Sequence, residues 1–498
     1  MANHIQSIIE TGLEGLLVSV ECRITSGLPT VIIVGYANKS LEEAKERLRG
    51  AFSSSQLQLP RKRIALNLAP GDIPKDGTSF DLAMAVAILL ADRKPLLRQL
   101  TDSIIIGELS LDGSVRPVRG IIGKLLAAQR LGVSRCFIPL GNQAQAQLIP
   151  GLQLFPVATL TRLYEHLLGI ELIPAHTSQF KLPPPGQLIA DLQLIAGQAI
   201  GKRAVEIAAA GGHNLLLTGP PGTGKTMLAK ALAGLLPAMK TDEVLEVTHL
   251  HSLASLRFDQ IITERPIRTP HHSASLQAMV GGGSQPTPGE ISLSHRGVLF
   301  LDELPEFKRS TIEALRQPME DAVIQVARNR TSTTFPADFL LVATANPCPC
   351  GFFGTEKACI CEPYRVIQYQ RRLSGPILDR IDLFAEAEPT QHRIILTSQT
   401  KNETSPTVAK RVLKAQTIQL KRQNILNSRL DNRALKQHAN FTGPAKTTLD
   451  IAARRLDMSA RGYIKTAKVA RTIADLATSK QIEEAHIIEA LGFRQHTE

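Results

Sequence analysis

Apolar residues along the chain fall into short runs separated by turn residues, not into one continuous stretch. Val31–Val34, Ile104–Gly107 and Cys136–Ile138 read as buried strands, while Leu41–Phe52 and Ile121–Leu131 carry helical spacing. Farther on, the alanine-rich stretch Gln198–Ala210 stops at Gly211-Gly212, a helix end. Asn214–Thr218 (NLLLT) is a buried strand, followed by a glycine loop and an apolar-faced helix, Lys225–Leu236, closed by Pro237. Two more apolar strands follow, Val298–Leu301 and Phe339–Ala343. Strands alternating with helices predict an α/β fold with a parallel sheet. Beyond Pro389 the pattern turns helical and basic, with no strand signal.

The longest apolar run, Leu82–Ala91, has ten residues. A membrane span needs about 20, so the run predicts a core helix and no membrane pass. The start, MANHIQSIIE, has no basic segment ahead of an apolar one, and six cysteines are spread over 498 residues. Both point to a reducing, cytoplasmic setting. Pro183, Pro184 and Pro185 fix an extended connector. The chain therefore divides into an α/β domain at 1–172, a linker at 173–190, a second α/β domain at 191–390 and a helical lid at 391–498.

Charge and composition narrow the classes. At 43% hydrophobic and 20% charged residues, the chain is neither disordered nor collagen-like. Lys+Arg number 57 against 45 Asp+Glu, a formal charge of +12. Residues 401–498 hold 18 Lys/Arg and 9 Asp/Glu, so nine of the surplus cations lie there. Such an excess favours polyanions, foremost nucleic acid; it also serves plain solubility. Trp is absent and aromatics are 4%, so cations tracking a phosphate backbone are favoured over a base-stacking platform.

The candidate chemistry is concentrated in the second α/β domain. Gly219-Pro220-Pro221-Gly222-Thr223-Gly224-Lys225-Thr226 fits G-x-x-x-x-G-K-[ST] between a strand and a helix. Its glycines let backbone N–H groups turn toward phosphate oxygens. Lys225 would reach the β and γ phosphates of ATP, and Thr226 the Mg²⁺. The strand Val298–Leu301 ends in Asp302 and Glu303, where the edge of such a sheet binds ligands. Asp302 is placed to hold Mg²⁺ and Glu303 to polarise the attacking water. Asn346 closes the third strand, positioned to orient that water or to meet the γ-phosphate. Cys348, Cys350, Cys359 and Cys361 form a C-x-C, eight residues, C-x-C pattern. Four thiolates suit a closed, structural Zn²⁺ site, and reduced buried thiols are the other reading.

The order of these motifs resembles an AAA+ ATPase. The blocks Gly197–Thr226, Arg268–Ser275 (RTPHHSAS), Gly289–Phe307 and Ser374–Leu383 (SGPILDRIDL) resemble the magnesium-chelatase-related branch, in particular the ComM (YifB-like) family. The resemblance covers nearly the whole chain. It implies a homo-hexameric ring with ATP between subunits, acting in the cytoplasm as a DNA helicase or translocase that promotes branch migration in recombination, during transformation and alongside recombination proteins. It matches Arg380 to an arginine finger acting in trans. Arg461 (SARGY) or Arg471 (VARTIADL) would be the second sensor. Two inserts, Thr248–Arg296 and Val323–Phe335, read as loop or hairpin; the family places such inserts in the ring channel. Arg268, Arg328 and Arg330 would there contact DNA phosphates. Pro74–Ser79 and Gly120–Ala128 resemble the serine and lysine segments of a Lon-protease-like domain, matching Ser79 and Lys124 to a Ser–Lys dyad, with Phe80-Asp81 in place of small residues that would crowd an acyl site. Two rival readings are a chelatase-type ATPase remodelling a protein partner and an ATP-dependent protease.

Overall fold

The computed structural model describes residues 4–11, 14–34, 39–71, 75, 77–92, 100, 102–177, 190–255, 260–283, 286–328, 331–373, 375–388 and 402–494. The three linker prolines lie outside them. The N-terminal half is a mixed seven-stranded sheet. From edge to edge its strands are Thr30–Val34, Arg63–Ala69, Glu14–Thr25, His4–Thr11, Ser103–Ile105, Arg135–Pro139 and Gln153–Val157. The strands His4–Thr11, Glu14–Thr25 and Arg63–Ala69 pair antiparallel in turn, and the remaining pairings are parallel. The ten-residue apolar run lies in the helix Asp81–Asp92, whose residues 81–90 are all buried against this sheet.

The second half is built on a five-stranded, all-parallel sheet, in the order Ile267–Arg268, Val298–Leu301, Leu340–Ala345, Leu215–Thr218, Leu383–Glu386. Every residue of Val298–Leu301 and Leu340–Ala345 is buried, the continuous pattern of a strand covered on both faces. The helix Ala199–Gly211 stops where Gly212 adopts φ 71 and its N–H caps the Ala208 carbonyl. The helix after the glycine loop, Lys225–Ala233, ends at Gly234, short of the predicted Leu236.

The lid comprises Ser405–Gln423, Asn432–His438, Gly443–Arg455, Ala460–Leu476 and Glu484–Gly492. It is not a separate globule. Val412, Ala470 and Ile473 share one apolar cluster with Ala209, Leu215 and Val342. The N-terminal half is joined just as firmly. Met239, Val244 and Val247, on or beside the helix Thr241–Ala254, are buried in a cluster with Ile121, Leu125 and Ile149. Each such side chain stabilises the contact by roughly 1.5–3 kcal/mol, so the halves are clamped and not merely tethered. That helix also corrects the reading of the first insert: Thr248–Ala254 continues a helix, and the hairpin is only the short pair Gly281–Gly282 with Thr287–Pro288.

Candidate active site

The glycine loop leaves the strand Leu215–Thr218 and opens the helix Lys225–Ala233. Gly219 must lack a side chain: its φ is 147, and a Cβ would collide with the Ala387 carbonyl oxygen. Lys225 is 8% exposed, and its ammonium donates to the Gly219 and Pro220 carbonyls at 2.7 and 2.8 Å and to Asn346 Oδ1 at 3.2 Å. Burial holds it below the usual lysine value, opposed by the Asp302 and Glu303 carboxylates. Gln198 Nε2 fixes the loop from outside, donating to the carbonyls of Thr223 and Glu388.

The strand ends converge on this lysine. Asp302 accepts from Thr226 Oγ1 at 3.4 Å and from Thr344 Oγ1 at 2.6 Å. The same Thr344 hydroxyl accepts the Glu303 N–H at 2.9 Å. One threonine thus holds the Asp302 carboxylate and the Glu303 backbone, and Glu303 sits in the left-handed region at φ 55 with its side chain exposed. Strain of this kind persists where the surroundings enforce it. Thr344 and Gln198 were not singled out in the sequence, although a lone hydroxyl inside the apolar run Phe339–Ala345 was a signal for the first. The arrangement can hold a triphosphate, with Thr226 and Asp302 as the residues that would hold Mg²⁺.

The four cysteines follow directly. Their Sγ atoms lie within 4.8 Å of one another. Cys348 is 3.4 Å from Cys350 and 3.7 Å from Cys359, and Cys350 is 3.6 Å from Cys359. Tetrahedral thiolates at the usual Zn–S length of about 2.3 Å stand about 3.8 Å apart, so the donor set fits zinc. The Phe353 N–H also donates to Cys348 Sγ at 3.3 Å, and the Phe352 N–H lowers the Cys350 thiol to about 6. Beside the cluster Gly351, at φ 85, leaves no room for a Cβ against the Pro221 ring.

The arginines sort differently from their sequence assignment. Arg471 is 1% exposed and is consumed inside the lid: it donates to Asp475 at 2.9 Å and to the carbonyls of Ala439, Ser479 and Lys480. Its guanidinium is thus occupied by partners inside the lid. Arg461 is exposed and pairs with Glu320 at 2.5 Å. Arg380 pairs with the same carboxylate at 2.6 Å and donates to the Pro376 carbonyl. Neither partner belongs to the phosphate loop.

Arg268 likewise has a committed charge. Nε and Nη2 each donate to a Glu290 oxygen at 2.6 Å, a two-pronged pair that neutralises the cation assigned to DNA. Arg265, in the same insert, holds the Pro237 and Arg296 carbonyls. The second insert is the predicted hairpin, Val323–Arg328 with Thr331–Pro336. Arg330 and the Arg328 side chain lie outside the described residues. In the N-terminal half Ser79 and Lys124 are both buried, and Lys124 donates to the Arg119 carbonyl at 2.8 Å. Phe80 and Asp81 turn into the interior, Phe80 into the core and Asp81 onto Arg47 at 2.6 Å. Their bulk is absorbed by packing.

A parallel sheet, a phosphate loop with its lysine, and paired acids held by a threonine define a P-loop ATPase of the AAA+ type. The chain belongs to the magnesium chelatase subunit ChlI family, whose profiles match residues 20–142, 191–394 and, for the C-terminal part, 402–494. It is 41% identical to the protein YifB of Salmonella typhimurium, across 97% of this chain and 95% of that one. It is also 41% identical to the competence protein ComM of Haemophilus influenzae, again across 97% and 95%. A Lon protease of Mycolicibacterium smegmatis is 30% identical over 174 residues, 33% of this chain and 22% of the protease. No helix among the described residues is long and apolar enough to cross a membrane.

Proposed function

We propose that the chain is the subunit of a homo-hexameric, ATP-driven DNA motor, a helicase or translocase that drives branch migration in recombination. One observation carries the reading. The hairpin Val323–Arg328/Thr331–Pro336 is inserted between the two strands that deliver Glu303 and Asn346. Its Ile324, Val326 and Phe335 pack in one cluster with Leu299, Leu301 and Leu341 of those strands. Movement at the reacting phosphate would pass through this packing to the hairpin, and the sequence joining its two strands runs Arg328-Asn329-Arg330. Cations there would meet phosphates without reading bases. The net charge of +12 and the similarity to a competence protein support the same partner.

In the chemical step Lys225 leaves the Gly219 and Pro220 carbonyls for the phosphates, and its positive charge is retained there. Glu303, held at its N–H by Thr344, orients the water and accepts its proton. Asn346 fixes the γ-phosphate end. Mg²⁺, when bound by Thr226 and Asp302, neutralises phosphate charge. Arg380 and Arg461 bond outside the loop of their own chain, which suits action on the nucleotide of a neighbouring subunit. A trans arginine contributes about 10³–10⁵ in rate.

The deciding test is a labelled four-way junction with ATP, comparing wild type with Glu303→Gln. Branch migration of the junction into separate duplexes and DNA-stimulated turnover by the wild type alone are expected. A protein that hydrolyses ATP but neither binds DNA nor is stimulated by it would be the remodelling ATPase for a protein partner instead.

A further inference from the structure

Three distant parts of the chain meet at Glu320. It stands near the end of the helix Arg316–Asp321; Arg380 follows the helix Gly375–Leu378, and Arg461 lies in the first turn of the lid helix Ala460–Leu476. The carboxylate receives Arg380 at 2.6 Å and Arg461 at 2.5 Å. Those two guanidinium groups hold it below the ordinary glutamate range. No other described carboxylate is shared by these two arginines.

Arg380 is the retracted member of this pair, while Arg461 reaches the same acid from the surface. The Arg380 side chain is only 11% exposed, its Nη1 is drawn back to the Pro376 carbonyl at 2.6 Å, and its Nε is buried with no hydrogen-bond partner among the described residues. An arginine meant for a neighbour's phosphate has to present its fork at the surface. Here both ends of the fork are committed within the same chain, Nη2 to the Glu320 carboxylate and Nη1 to the Pro376 carbonyl. The place of the acid matters as well. Two residues after Glu320 the backbone passes through Ala322 at φ 57, and Val323 opens the DNA-facing hairpin. The residue that gathers the arginines therefore stands at the hairpin's foot.

We propose that Glu320 is a positioning residue that parks Arg380 and Arg461 away from the subunit seam. Nucleotide on the neighbouring subunit strips both arginines from it, and the release is transmitted to the hairpin through Ala322. This rests on the trans-arginine reading above and adds a condition to it: the arginines are withheld until the seam closes. Partly exposed ion pairs shift an equilibrium by a few fold each, so losing both releases the pair about three- to tenfold.

The test is steady-state ATP turnover by the full-length assembled protein, with and without DNA, for wild type, Glu320→Gln, Glu320→Asp, Arg380→Ala and Arg461→Ala. Glu320→Gln is expected to raise DNA-free kcat about three- to tenfold, with KM for ATP within about twofold. Stimulation by DNA shrinks by the same factor. Glu320→Asp, one methylene too short to span both arginines, gives a smaller rise and is the variant read if the glutamine form does not assemble. A merely structural glutamate can only lower kcat when replaced. Unchanged or reduced DNA-free kcat in these variants overturns the parking role. If Arg380→Ala and Arg461→Ala both turn over at the wild-type rate, the trans-arginine reading itself has failed. If they are inactive while Glu320→Gln is not activated, only the parking role falls.

Discussion

Lys225 and Lys124 make a useful pair, one from each half of the chain. Each is 8% exposed and each donates its ammonium to main-chain carbonyl oxygen. Around Lys225 stand a glycine loop, two strand-end carboxylates and an asparagine, and the carbonyls it now holds are places phosphates can take over. Lys124 sits in the first turn of the helix Ile121–Arg130 and is anchored on Arg119; the buried acid of that half, Asp81, pairs with Arg47. Burial of a lysine does not by itself mark chemistry. What marks it is the set of groups that converge where its proton-bearing end can move.

The comparison breaks first at turnover. Lys225→Ala should lower ATP hydrolysis by about 10³-fold, and Glu303→Gln by about 10²–10⁴-fold with ATP still bound. Ser79→Ala and Lys124→Ala should stay within about twofold, and wild type should leave casein intact; a Ser79→Ala loss equal to that of Lys225→Ala would put the chemistry in the wrong half. Next in size is the thiol cluster. Metal analysis should find about one zinc per chain, and Cys359→Ser should lose it and melt at least about 5 °C lower. A smaller effect separates the arginines of the two inserts. The double change Arg328→Ala/Arg330→Ala should flatten the salt dependence of DNA binding by about 1.5 in log–log slope. Arg268→Ala, losing only its Glu290 pair, should leave that slope as it is and lower the melting temperature.

The smallest effect is a pH one, in the network that ties the helix Thr241–Ala254 to the strand Leu340–Ala345. The Asp338 N–H donates to His295 Nδ1, so the proton on His295 faces Glu246 from Nε2 at 3.1 Å. That bond, with help from Arg296, lowers the Glu246 carboxyl from 4.5 to about 2. A depressed carboxyl stabilises the fold above its unfolded value and loses that contribution as pH falls toward 2. Denaturation midpoints measured from pH 5 down to pH 3 should therefore fall more for wild type than for Glu246→Gln.

Much of this was legible because the chemistry is contiguous. The phosphate loop, the Asp302-Glu303 strand end and the cysteine pairs each lie within a few residues, and local geometry follows from local sequence. The arginines were not legible in that way. Arg461 and Arg471 share one helix, and only packing against Asp475 and the Ala439 carbonyl decides that the second is entombed. Arg268 looked available because Glu290, its partner, is 22 residues away. Glu320 had no signal at all, since its ion pairs join three segments far apart in sequence. The strand Glu14–Thr25 was missed for a different reason: Val18, Val20, Cys22 and Ile24 do alternate, but charged Glu21 and Arg23 stand between them on the exposed face.

The contact of Gly351 with Pro221 gives the cysteine turn a second role. With no side chain to act as a spacer, the turn and the phosphate loop share one surface and have no slack between them. Any side chain placed at Gly351 would therefore press directly on the Pro221 ring of the phosphate loop.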